Sequence, residues 1–174
     1  MSGLPVLQPG VTLVCGGEGV GKTTLLRRFA EHAAQVGQTV YWQDPAAPVD
    51  DQMTPRQHFN SLHERFPAWD EALLAELIDE LGLTEHLDKG LFMLSTGSRR
   101  KVWMVAGFAS GADVMLIDQP FAALDMASMR VLTVLLAEAA EHPRRAWVVA
   151  DYEAPLGVRF CQTVDLGDTP AWMA

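Results

Sequence analysis

Eight residues near the N-terminus, Gly16-Gly17-Glu18-Gly19-Val20-Gly21-Lys22-Thr23, fit the pattern G-x-x-x-x-G-K-[ST]. These residue types suit one task, the grip of a phosphate chain. Glycines let successive backbone N–H groups turn inward around phosphate oxygens, and a helix starting directly after them adds the positive end of its dipole. In such a loop Lys22 reaches the β- and γ-phosphates and the Thr23 hydroxyl ligates Mg²⁺, while Thr24 extends the binding segment into the first helical turn. The metal also needs a carboxylate nearby, usually acting through water. Asp118 offers one, at the end of the apolar run Val114-Met115-Leu116-Ile117. A glycine turn alone can merely join a strand to a helix, and a lone aspartate can cap a turn. Together, in this context, they predict a site for a nucleoside phosphate with Mg²⁺.

The context is a chain in which strand and helix patterns alternate, the mark of a parallel sheet covered by helices. Val11 to Cys15 is a short apolar run before the glycines, read as a buried strand. From Lys22 to Val36 the apolar residues Leu25, Leu26, Phe29, Ala33 and Val36 recur at helical spacing, and Gly37 stops the helix. Thr39 to Trp42 predicts the second strand, Val114 to Asp118 the third, Ala146 to Val149 the fourth and Gln162 to Leu166 the last. Helices are predicted from Thr54-Pro55, over 70–81, from Gly97 to Phe108 and over 127–140, with one turn at 84–87. Residues 54–93 are helical throughout in pattern, so they predict a helical subdomain inside a single domain over 1–174. The expected core is Leu13, Val14, Leu26, Phe29, Val40, Val105, Met115, Ile117, Leu132, Leu135 and Val148.

Composition narrows the function classes. At 49% hydrophobic and 20% charged, the 174 residues can bury a core, which rules out a disordered chain. The formal net charge of −9 is the wrong sign for general nucleic-acid binding, and no nucleic-acid partner is expected. Two cysteines, Cys15 and Cys161, make no disulfide framework and predict a reducing, cytoplasmic compartment. The first basic residue is Lys22, so no basic segment precedes an apolar one and no leader is expected. The longest apolar stretch, Val102 to Ala109, is far short of the roughly 20 residues a membrane-spanning helix needs.

Four further segments, in order, resemble the ATP-binding cassette (ABC) ATPases, and the resemblance covers most of the chain from Gly16 to Asp165. Leu94-Ser95-Thr96-Gly97 is similar to the family signature Leu-Ser-Gly-Gly, and Asp118 follows Gly97 by 21 positions, as in the family. Phe121-Ala122-Ala123-Leu124-Asp125 resembles the D-loop, and Tyr41-Trp42-Gln43-Asp44-Pro45 the strand end and Q-loop. The resemblance implies an α/β P-loop NTPase fold. It also implies a head-to-tail dimer, homo- or heterodimeric, in which each signature faces the other subunit's phosphate loop. Ser95 and Gly97, with the helix N-terminus behind them, would then hold a γ-phosphate across the interface. Gln43 would touch Mg²⁺ and report nucleotide state to the helical subdomain. Arg99, Arg100 and Lys101 are read as a solvated helix face.

The departures from the family pattern carry as much information. Where the family has a glutamate that polarises the attacking water, this chain has Gln119, and where it has a switch histidine the position falls on Asp151. An amide can orient water but cannot take its proton. The five histidines, His32, His58, His63, His86 and His142, lie elsewhere and are expected on exposed helix faces or loops. Only 21 positions separate Lys22 from Gln43, too few for the family's antiparallel β-subdomain, which is expected to be largely missing. Glu18 stands where the family has Asn or Ser, adding negative charge near the phosphates.

Three functions stay open at this level. One is a nucleotide-gated switch that binds ATP, dimerises and hydrolyses it weakly or slowly. Another is the active ATPase subunit of a membrane permease, docked at the inner face of the membrane; the run Pro120–Asp125 is closest to small exporters of the haem-exporter type. The third is a P-loop small-molecule kinase, whose arginine-rich lid is poorly served by Arg56, Arg65 and Lys89, the Arg and Lys residues within 54–93. No Tyr, Phe or Trp precedes Phe29, so adenine would rest on aliphatic residues such as Leu4 or Val6. GTP is therefore expected to compete with ATP within about tenfold, that is about 1.4 kcal/mol, in a displacement titration; a strong ATP preference would reveal an aromatic platform elsewhere.

Overall fold

The computed structural model describes residues 3–167. Within them two compact units emerge: residues 3–42, 113–120 and 132–167 in the first, and 43–112 with 121–131 in the second.

The first unit is a five-stranded sheet with helices. Its strands are β1 (Gly10–Cys15), β2 (Val40–Trp42), β3 (Val114–Asp118), β4 (Ala146–Asp151) and β5 (Gln162–Asp165), in the order β2-β3-β4-β1-β5. Every neighbouring pair runs parallel. The sequence explains why: β1, β3 and β4 read as nearly unbroken apolar runs, which suits strands covered on both faces. The register sets Cys15 against Asp151 and Asp118 against Ala150, so the C-terminal ends of the three central strands finish level. The segment between residues 24 and 40 is helix and turn, with no antiparallel strand, as its shortness predicts.

Helix α1 (Lys22–Gln35) packs against β2, β3 and β4 through Leu25, Leu26, Phe29 and Ala33. They meet Val14, Leu116 and Val148 in one buried cluster. Burying a side chain the size of Leu26 or Phe29 contributes about 1.5–3 kcal/mol. Two expected core residues turn out to be only half-buried. Val40 lies in the edge strand β2, and Leu135 lies off the buried stripe of α5 (Met126–Ala140). That stripe runs Ser128, Leu132, Leu136, Ala139, a four-four-three spacing that passes Leu135 by.

The second unit is helical. Each helix start is marked by a cap written in the sequence. Thr54 Oγ1 accepts from the Gln57 N–H and Gln57 Oε1 from the Thr54 N–H, a reciprocal box that opens α2 (Pro55–Arg65). Asp70 caps α3 (Glu71–Glu80) through the Leu73 N–H, and Ser95 caps α4 (Thr96–Ala109) through the Ser98 N–H. Two 3₁₀ turns, Thr84–His86 and Leu91–Met93, connect α3 to α4, and no strand occurs within 54–93. The first turns of α5, up to Val131, also belong to this unit. After α4 the chain turns at Gly111, whose φ is 65°. A side chain there would run into the Ala68 carbonyl.

His58, on α2, departs from its expected exposed position. Its ring meets the Trp103 ring of α4 edge-on, with centroids 4.7 Å apart, and its Nε2 is buried without a hydrogen-bond partner. Burial pushes its pKa down to about 4, so folding favours the neutral ring. The stabilising contribution is full above the unfolded value near 6.5 and is lost as pH falls towards 4. The unaltered protein should therefore lose up to about 3 kcal/mol more stability than His58→Phe between neutral and acidic pH, as read from urea unfolding curves at each pH. Parallel losses in the two proteins would show that His58 does not titrate across this window.

Candidate nucleotide-binding site

The phosphate-loop residues connect β1 to α1, and the positive φ angles of Gly16, Gly19 and Gly21 favour glycine there. Gly16 has φ 146°, and a Cβ there would sit 2.7 Å from the Gly167 carbonyl oxygen and 2.9 Å from the Val20 side chain. The same carbonyl accepts from the Gly17 N–H at 2.9 Å, which pins the loop's entry to the second residue after β5. Gly21, at φ 102°, is the N-cap of α1 and supplies no side chain to its first turn, whereas α2, α3 and α4 each have a side-chain cap. The amide-rich end of α1 is thus left for a ligand of negative charge.

Lys22 is 7% exposed. Its ammonium donates to the Gly16 and Gly17 carbonyls, both at 2.6 Å, and lies 4.4 Å from the centre of the Tyr152 ring. Beside it, the Thr23 hydroxyl donates to Asp118 Oδ2 at 2.5 Å. The two residues read separately as Mg²⁺ ligands, 95 positions apart in the chain, are in direct contact. A pocket of about 320 Å³ opens over the loop, and Lys22, Thr23, Asp118, Gln119 and Tyr152 are in its wall. That volume is at the lower end of ligand sites, which run from about 300 to 1,000 Å³. Among the described residues no cluster of three or more His, Cys, Asp and Glu could hold a metal unaided. The donor set of one hydroxyl and one carboxylate fits Mg²⁺, whose remaining ligands are commonly phosphate oxygens and water.

Gln119 follows Asp118 in a left-handed conformation, φ 49°, and its N–H donates to the Ala150 carbonyl at 2.8 Å. A non-glycine residue held there costs on the order of 1–2 kcal/mol, so the surrounding ladder imposes it. Asp151 ends β4 half-buried, its Oδ1 accepting from the Tyr152 N–H at 2.8 Å. Glu18 is exposed. Tyr152 escaped the sequence reading. The signal for it was its place directly after the fourth strand, level with the end of β1.

The remaining predicted residues lie in the second unit. Gln43 is half-buried directly after β2, and Ser95 is the exposed cap of α4. Gly97, in the first turn of α4, abuts the Ala123 carbonyl so closely that a side chain has no room. Ala123 is itself left-handed, φ 60°. Asp125 accepts from Lys101 Nζ at 2.8 Å and from the Ser128 N–H and hydroxyl. The Lys101 hydrogen bond comes first among the causes holding its carboxyl well below the usual range. The reading of 99–101 as a solvated face is thereby corrected. Lys101 is 15% exposed, Arg99 pairs with Asp51 at 3.1 Å, and the Arg100 Nε is buried.

A parallel α/β sheet with a glycine-rich phosphate loop at the carboxyl end of its first strand defines a P-loop nucleotide-binding fold. A model of the ABC transporter family matches residues 6–122, and the chain belongs to that family. It is 34% identical over 134 residues to the cytochrome c biogenesis ATP-binding export protein CcmA of Hyphomonas neptunium, covering 72% of this chain and 68% of that protein. It is 26% identical to the petrobactin import ATP-binding protein FpuD of Bacillus anthracis, covering 88% and 66%. The chain spans about two thirds of the length of these relatives. Among solved structures, a Pyrococcus furiosus chain described as an ABC transporter ATP-binding protein superposes with TM-score 0.72 at 18% identity, over 92% of this chain and 86% of that one. The RNase-L inhibitor gives TM-score 0.67 at 21% identity, over 82% and 29%.

The buried ammonium and the Thr23–Asp118 contact make Lys22 the decisive side chain. Calorimetric titration should show ATP·Mg²⁺ binding to the unaltered protein and none to Lys22→Ala; equal affinity in both would remove the loop from the binding site.

Proposed function

We propose that the chain is one nucleotide-binding domain that takes up ATP·Mg²⁺ and uses binding, more than hydrolysis, as its working event. The observation that supports this most is the meeting of Thr23 and Asp118 beside the buried Lys22. In this reading the Gly16–Gly21 backbone and Lys22 hold the phosphates, and Thr23, Asp118 and Gln43 serve Mg²⁺. Ser95 and Gly97 close over the γ-phosphate of a second subunit, which makes ATP the joint of a head-to-tail dimer. Gln119 and Asp151 take the catalytic positions. Loss of a positioned general base typically lowers a rate by roughly 10² to 10⁴. Asp151 brings negative charge towards a phosphate that is gaining it.

A second reading, a transporter subunit, draws on the relatives named as export and import ATP-binding proteins. A permease at the inner face of a membrane would then be the partner. No helix among the described residues is long and apolar enough to cross a membrane. Copurification with a multi-span protein would favour it. The kinase reading gains nothing, because Arg56 is paired with Asp88 at 2.7 Å and Arg65 lies over the Phe66 ring.

Size-exclusion chromatography should give a persistent dimer with ATP·Mg²⁺ and a monomer with ADP. Gln119→Glu alone should raise turnover only slightly, and Gln119→Glu with Asp151→His should raise it further. Rapid turnover by the unaltered protein would overturn the binding-first reading and favour an ordinary motor subunit.

A further inference from the structure

An ammonium has three N–H groups. In Lys22 two of them go to the Gly16 and Gly17 carbonyls at 2.6 Å, and the aromatic face of Tyr152 lies 4.4 Å from the nitrogen. The lysine is 93% removed from solvent, so this ring faces the cation where water competes weakly. Tyr152 is half-exposed and is in the wall of the same pocket as Thr23, Asp118 and Gln119. Its main chain is anchored, because its N–H donates to the carboxylate of Asp151 at the end of β4. The ring therefore lies against the ammonium that the two loop carbonyls hold, in the wall of the pocket a ligand would enter.

We propose that Tyr152 is a specificity-determining residue of the nucleotide pocket: its ring competes with the terminal phosphate for Lys22 and so sets how strongly the site prefers a triphosphate over a diphosphate. The inference rests on the nucleotide-binding reading given above. A third phosphate placed at the ammonium must displace the ring, and part of its attraction to Lys22 is offset by the lost cation–π contact. A diphosphate, which reaches less far along the pocket, displaces the ring less. The π-face, not the hydroxyl, is the active feature, so phenylalanine should substitute for tyrosine and alanine should not.

The test is calorimetric titration of the full chain with ATP·Mg²⁺ and with ADP·Mg²⁺, for the unaltered protein, Tyr152→Ala and Tyr152→Phe. Thermal melts establish that each variant is folded, as expected for a half-exposed side chain. Removing the ring should tighten ATP roughly three- to thirtyfold, the range of a partly desolvated cation–π contact, while ADP changes by less than about threefold. The ATP-to-ADP affinity ratio therefore rises in Tyr152→Ala and returns to the unaltered value in Tyr152→Phe. The proposal is overturned if Tyr152→Ala binds ATP equally or more weakly, if both nucleotides tighten alike, or if Tyr152→Phe behaves as the alanine variant. Failure of the unaltered protein and of Tyr152→Ala to bind either nucleotide would overturn the nucleotide-binding reading itself, and this proposal with it.

Discussion

The parallel ladder that joins β3 to β4 and β4 to β1 is the constraint on which the site depends. It sets Asp118 opposite Ala150 and Cys15 opposite Asp151, so strand ends far apart in the chain finish in one row. A shift of one residue would turn each strand's side chains to the opposite face. It would separate Thr23 from Asp118 and remove the carbonyl of Ala150 that holds Gln119 in its left-handed turn. The apolar runs of β1, β3 and β4 make such a shift costly, because each is buried along nearly its whole length. The polar chemistry of the pocket is thus positioned by side chains that take no part in it.

Much of this fold was legible because its signals are local. Thr54, Asp70 and Ser95 are caps whose hydrogen bonds lie within three residues. The phosphate loop was equally legible, since positive φ at Gly16, Gly19 and Gly21 is a demand that glycine itself advertises. Where the reading failed, the deciding contact was long-range. His58 looked like a surface histidine until α4 brought Trp103 against it. Lys101 looked solvated until the chain returned with Asp125, 24 residues on. Leu135 was chosen over Leu136 because apolarity alone does not give the phase of a helix, only the partner does.

The second unit applies the same economy to the signature segment. Gly97 and Ala123 touch at a spacing that excludes any side chain, and Lys101 reaches from α4 to Asp125, which in turn caps the start of α5. Ala123 is held at positive φ, a conformation that alanine adopts only under constraint. The segments resembling the signature and the D-loop are therefore fastened to one another within a single unit. Three contacts of different kinds do it: a close approach, an ion pair and a cap.

That fastening bears on what the two altered positions can mean. Gln119 and Asp151 belong to the first unit, at the ends of β3 and β4, and each has its backbone engaged by the central ladder. The glycine loop is shaped by its own backbone, the Thr23–Asp118 pair by a direct side-chain hydrogen bond, and the Gly97–Ala123 contact by a close approach of backbone. Holding a nucleotide needs donors and a metal pair in fixed places; splitting it needs in addition a group that takes a proton and a neutral or positive neighbour for the leaving charge. In the proposed reading Lys22, Thr23 and Asp118 serve the first requirement, whereas Gln119 and Asp151 stand where the second would need a base and a neutral or positive neighbour, which is why binding is proposed as the working event.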